Sequence, residues 1–139
     1  EDRRLFTALS VRENLLVAAR APQAHARGWA ALSVARRLEQ VLTLFPALST
    51  MLERSAAQMS GGEQQMLGLA RTLMTGPTLL LLDEPCEGIA PMLVASIRDA
   101  VLELKREGMS LLVAEQNGIL AARADRVITL KAQTPLHAD

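Results

Sequence analysis

The chain has 139 residues, half of them apolar, and its fifteen basic side chains balance fifteen acidic ones. That length suits one domain with a core, while zero net charge gives no general electrostatic drive toward nucleic acid or an anionic membrane. Only Phe6, Trp29 and Phe45 are aromatic, which disfavours a single-strand binder that stacks bases on rings, and the single Cys86 excludes an internal disulfide framework and suits a reducing compartment. No apolar run approaches the length of a membrane span, and no signal peptide pattern is read. The chain opens on Glu1-Asp2-Arg3-Arg4 without an initiator methionine, and so reads as a piece of something longer.

Residues 1–60 read as helical and mixed. In "SVRENLLVAA", Ser10 is placed to cap a helix and Glu13 completes a capping box. A polar loop follows around 22–28. Val34, Leu38, Val41, Leu42 and Phe45 then recur at helical spacing until Pro46 closes the segment. At 59–67 the sequence is "MSGGEQQML", where Ser60 and Glu63 form a second capping box. It predicts a helix from about 62 to 74, ended before Gly76-Pro77. Two glycines sit inside this box, although alanine favours a helix by about 1 kcal/mol. Close approach to the backbone at Gly61 and Gly62 is the reason to expect.

"TLLLLD" has the length of a strand buried on both faces. Pro91 fits the first turn of a helix running to Glu107, with Gly108 as its stop and Leu93, Ile97, Val101 and Leu104 as its apolar face. "MSLLVAE" reads as the next strand and "RVITL" as the last. Strands alternating with helices imply an α/β fold with a parallel sheet covered on both faces. Chemistry is then sought at the C-terminal strand ends.

Asp83 and Glu84 stand at such an end. The ordinary reading is a strand followed by a polar turn broken by Pro85. The functional reading is the Walker B element of a P-loop NTPase, in which the Asp holds Mg²⁺ and the Glu orients and deprotonates the attacking water. A rigid strand matters there, since misplacing such groups by about 1 Å can cost roughly 100-fold in rate. Ser60, Gly61 and Gly62 open a helix whose exposed N–H groups and dipole attract phosphate. Alone, "SGG" is most often a turn; followed by "LLLLDEP" with Asp83 23 residues after Ser60, it is specific.

With these motifs the chain resembles the ATP-binding subunits of ABC transporters. "MSGGEQQ" looks like their signature motif, "LLLLDEP" like Walker B and "CEGIAP" like the D-loop. "EDRRLF", "SGGEQQML", "DEPCEGIAP" and "LLVAEQN" together resemble the branched-chain amino acid subfamily. The resemblance covers roughly 1–130. It implies a P-loop NTPase-like parallel sheet, part of an ABC ATPase domain, with a helical signature subdomain over 11–75 and core strands and helices over 76–139. It further implies that Asp83 binds Mg²⁺ and that Glu84 and Gln116 are catalytic in cis. Ser60, Gly61, Gly62 and Glu63 would contact the ATP of a partner subunit, and Glu1 would lie at the Q-loop position. The implied partners are a second ATPase subunit, identical or paralogous, and membrane permease subunits, with no nucleic acid. The implied place is the cytoplasmic face of the membrane, peripherally bound, and the implied task is powering uptake of branched-chain or other hydrophobic amino acids.

The pattern is broken in three places. No G-x-x-x-x-G-K-[ST] occurs, so the 139-residue chain alone is expected neither to bind ATP tightly nor to hydrolyse it. Glu1 replaces the usual Q-loop Gln, and Gln116 the usual switch His, an exchange that fits the subfamily. Beyond these three, the tail "KAQTPLHAD" departs from the usual "L-x-x-G" ending. Cys86 is read as filling a small D-loop position, His25 and His137 as solvated, and Arg71 as a surface or helix–sheet contact. The stretch "RRLFTALSVRENL" is either a capped helix entry or, by the resemblance, the face toward the membrane partner. The rival readings are a soluble ABC-type ATPase acting as a clamp in DNA repair or translation, and a non-catalytic remnant that pairs with a complete subunit.

Overall fold

The computed structural model describes residues 5–22, 24–116 and 118–130. Five α-helices are found there: α1 (Val11–Ala18), α2 (Val34–Leu44), α3 (Pro46–Ser49), α4 (Gly61–Met74) and α5 (Pro91–Arg106). Two strands, β1 (Leu79–Asp83) and β2 (Ser110–Ala114), pair in parallel, with Leu80 opposite Leu111 and Asp83 opposite Ala114. The right-handed logic of a strand–helix–strand unit accounts for α5 between them.

Both predicted capping boxes form. Ser10 Oγ accepts from the Glu13 N–H and Ser60 Oγ from the Glu63 N–H, while each glutamate reaches back to the N–H of its serine. Segment 52–57 is laced to 7–12: Val11 N–H donates to Arg54 O at 2.9 Å and Ala56 N–H to Leu9 O at 3.0 Å. Buried Asn14 fastens the entry to α1, since its Nδ2 donates to Phe6, Leu9 and Ser10 carbonyls and its Oδ1 accepts from the Phe6 N–H.

Helix α4 is the centre of the packing. Its face of Met66, Leu67, Ala70, Leu73 and Met74 is buried against α1, α2 and α5. The C-terminal carbonyls of a helix have no partners within it. Here Leu73 O accepts from Trp29 Nε1 at 2.8 Å, and Met74 O from Arg37 Nη1 at 2.8 Å. One contiguous apolar cluster runs from Val11 to Leu120.

Two sequence expectations are corrected. The "LLLL" strand is not buried on both faces: Leu80 is 1% exposed, but Leu79 is 51% and Leu81 65% exposed. Helices cover one side of the two-stranded sheet, and period-2 alternation sends Leu79, Leu81 and Asp83 to the open side. "RVITL" is not a strand either. Residues 126–130 have no regular structure and pair with neither strand, leaving Val127, Ile128 and Leu130 exposed. A strand exists only through a ladder, and among the described residues no segment pairs with 126–130.

Candidate functional site

The parallel register sets the first part of the site. Asp83 ends β1 and is exposed at its C-terminal edge. The chain then turns sharply, because Glu84 takes φ +43°, the left-handed region that a residue with a Cβ rarely enters. Its N–H still donates to Ala114 O at 2.9 Å, which ties the turn to the end of β2. The Glu84 carboxylate is thereby brought to the residue beyond that strand, and Oε2 accepts from the Gln116 N–H at 3.4 Å. Glu84 and Gln116 are therefore neighbours. The Gln116 residue is exposed and Glu84 half-buried.

Below this edge Cys86 is buried, and its thiol pKa is pushed up by burial and then by the Glu115 carboxylate. Glu115 was not anticipated from the sequence. Its Oε2 accepts from the Leu120 N–H at 2.8 Å, while its other oxygen is buried without a partner.

The second part is the N-terminus of α4. Ser60 is exposed, with its N–H donating to Glu63 Oε2 at 2.7 Å. Ser60 Oγ accepts from the Glu63 N–H, so the hydroxyl proton stays available to an outside acceptor. The Ser60 backbone N–H is the first cause holding the Glu63 carboxyl below its ordinary pKa, followed by its side-chain hydrogen bond, with Arg54 at 3.8 Å assisting. That places the Glu63 carboxylate in the cap. Gly61 is exposed and Gly62 buried. A Cβ on Gly62 would lie 2.4 Å from Leu93 Cδ1 and 3.5 Å from Ile89, so at that position close approach comes from α5 and the turn before it.

Among the described residues, no hydrogen bond or ion pair joins Ser60, Gly61, Gly62 or Glu63 to Asp83, Glu84 or Gln116. The fold thus presents two separate half-sites, one rich in N–H and O–H donors and one carrying carboxylates. Glu1, named for the Q-loop position, lies outside the described residues, as does His137. Arg71 makes a helix–helix contact: Nε donates to Asn14 O at 3.2 Å and the guanidinium stacks 5.0 Å over Phe6.

The ABC transporter family model matches residues 1–87, more than half of the chain and inclusive of the Ser60 and Asp83–Glu84 motifs. The chain belongs to the ABC transporter family. One relative, the high-affinity branched-chain amino acid transport ATP-binding protein BraG of Pseudomonas aeruginosa, is 40% identical over 132 residues, covering 94% of this chain and 54% of its own length. The lipoprotein-releasing system ATP-binding protein LolD 1 of Rhodospirillum rubrum is 36% identical over 91% of this chain and 54% of its own. The chain spans about half the length of these curated relatives. Among solved structures, a nucleotide-free ATP-binding cassette from an ABC transporter superposes with TM-score 0.66 at 28% identity, over 86% of this chain and 51% of its own. An ATP-binding cassette in its ADP conformation gives 0.63 at the same identity, over 86% of this chain and 50% of its own. Among the described residues no cluster of three or more His, Cys, Asp or Glu could hold a metal ion. Asp83, a single exposed carboxylate, fits Mg²⁺, which takes most of its ligands from water and nucleotide phosphates.

Proposed function

We propose that this chain is the part of an ABC importer ATPase that carries the signature and Walker B elements, in a subunit that powers uptake of branched-chain or other hydrophobic amino acids. The observation that carries the proposal is the meeting of Glu84 with Gln116 across the ends of β1 and β2, 3.4 Å apart. The substrate class rests on the likeness to BraG, and on the 41% identity over 71 residues with the probable branched-chain amino acid transport ATP-binding protein LivG of Methanocaldococcus jannaschii, which covers 51% of this chain and 28% of the relative.

In this reading Asp83 would hold Mg²⁺, which when bound would supply neutralising charge to the nucleotide phosphates. Glu84 accepts a proton from the attacking water. Gln116 donates its side-chain amide to a phosphate oxygen. Ser60 and the first N–H groups of α4 offer donors to the nucleotide of a partner ATPase subunit, so the two half-sites act in two different composite sites. Residues 11–75 form the helical subdomain, and the described residues from 76 to 130 belong to the core of the ATPase domain. No helix among the described residues is long and apolar enough to cross a membrane. By likeness to the family the subunit works peripherally, at the cytoplasmic face, against permease subunits, and exposed Phe6, Leu16 and Val17, in and beside α1, supply the contact.

The test is Glu84→Gln in the full-length subunit. Hydrolysis should fall roughly 100- to 10,000-fold, the range of general acid–base catalysis, with ATP binding retained. Near-normal turnover would remove Glu84 from the role of base.

A further inference from the structure

The N-terminus of α5 is poorly held by local structure. Its N-cap is Ala90, which makes no side-chain cap bond, and Met92 in the first turn is 81% exposed. The preceding turn contains two left-handed residues, Glu84 at φ +43° and Gly88 at φ +66°, and one internal bond from Glu87 N–H to Glu84 O at 3.1 Å. The stretch is tied at its start by the Glu84 N–H to Ala114 O bond and the buried Cys86, and at its end by the seat at Gly62. Leu93 Cδ1 lies where a Gly62 side chain would be, 2.4 Å from its ideal Cβ, and Ile89 Cβ and Cγ2 flank that space at van der Waals distance, 3.5 Å. Gly62 is the second residue of α4, two after Ser60. One apolar contact therefore links the turn behind Asp83 and Glu84 to the helix end that carries Ser60.

We propose that Leu93, seated with Ile89 against Gly62, is a positioning residue that fixes the carboxylate-bearing turn 84–90 relative to the Ser60 helix terminus. The inference rests on the ATPase reading for its kinetic consequence, and on packing alone for its geometric one. Leu93 touches neither nucleotide nor cation. It acts by holding two groups that each must meet a ligand to within a fraction of an ångström. A Leu93→Ala change opens a gap beside Gly62 and frees the turn. Gly62→Ala pushes Leu93 out of its seat, and a flexible half-buried leucine can yield without unfolding the domain. The two changes together restore a filled seat, because the new methyl occupies part of the space that Leu93 vacates.

The experiment compares Leu93→Ala, Gly62→Ala and the double variant in the full-length subunit, as a double-mutant cycle with two readouts. One is steady-state ATP hydrolysis. Each single change should lower kcat roughly 10- to 100-fold, as expected for misplacement of reacting groups. In Leu93→Ala, which alters no residue assigned to the nucleotide, KM for ATP should stay within about 2-fold, which marks an effect on positioning rather than on binding. The double variant should recover most of the loss. The second readout is the distance distribution between spin labels at exposed Gln58 and Glu87 in a Cys86→Ala background. It should broaden in each single variant and narrow in the double. Losses in the double variant equal to the product of the singles, or an unchanged distance distribution in Leu93→Ala, would overturn the proposal. If the unmodified subunit hydrolyses no ATP, the functional reading fails, and the spin-label cycle alone decides whether Leu93 positions the turn.

Discussion

Gly76→Ala should be among the most damaging single-methyl additions in this chain. Gly76 has φ +75°, and an added Cβ would sit 2.6 Å from Arg37 Nη2 and 2.8 Å from Arg37 Cζ. Two costs combine. A side chain in the left-handed region costs about 1–2 kcal/mol. The guanidinium must also move, and it has nowhere to go: Arg37 is fully buried, with Nη1 donating to Arg20 O at 2.9 Å and Met74 O at 2.8 Å and Nη2 to Leu32 O at 2.9 Å. Losing one such bond to a charged donor costs about 1.5–3 kcal/mol. The total is about 2.5–5 kcal/mol. Gly108→Ala is the control, since Gly108 has φ +85° with nothing within 4 Å of an added Cβ, leaving only the backbone cost of about 1–2 kcal/mol. Urea titrations can follow Trp29, whose indole donates to Leu73 O beside the affected carbonyl. Equal losses in the two variants, at unchanged m-value, would refute the idea that Arg37 sets the cost.

Ser60→Ala should destabilise the protein by about 1 kcal/mol through loss of the cap, read by the same titration. The partner glutamate supplies a pH signature: the folded-state pKa of Glu63 is lowered, so its contribution is present above the unfolded value and is lost as pH falls through the folded one. The stability gap between wild type and Glu63→Gln should therefore shrink as pH drops from about 6 to about 3, and a gap that widens on acidification would contradict the cap geometry. Gln116→Ala should lower kcat roughly 100- to 1,000-fold, as for loss of one preorganised donor. Gln116→His should stay active and add a limb to the kcat profile near pH 6.5 that wild type lacks; superimposable profiles would place residue 116 outside the reacting groups. Cys86, with its thiol pushed up by burial and by Glu115, should react with a disulfide reagent at least about 10-fold more slowly in the native protein than in urea, and equal rates would show the thiol to be open.

Local signals carried far. Ser10–Glu13 and Ser60–Glu63 announce their helices because a cap is made by residues three apart. Pro91 and Gly108 bracket α5 for the same kind of reason. The juxtaposition of Glu84 and Gln116 followed from two strands ending together in parallel. What failed was long-range. Four leucines in a row state that a strand is apolar on both sides, but not which layers cover it, and Leu79 and Leu81 stay exposed. "RVITL" has strand composition without a ladder partner among the described residues. Arg37 looks like any charge on an amphipathic helix until the carbonyls of Arg20 and Met74 converge on it. The need for glycine at 62 depends on Leu93, far along the chain.

The backbone at Glu84 carries a consequence for natural variation. A left-handed conformation at φ +43° suits glycine or asparagine, and holding glutamate there costs the fold about 1 kcal/mol. Selection for thermal endurance alone would drift this position to glycine or asparagine, and every such drift would discard the carboxylate beside Gln116. Laboratory evolution under heat, with no demand for turnover, should therefore accumulate Glu84→Gly and Glu84→Asn early, trading the carboxylate for a relaxed turn.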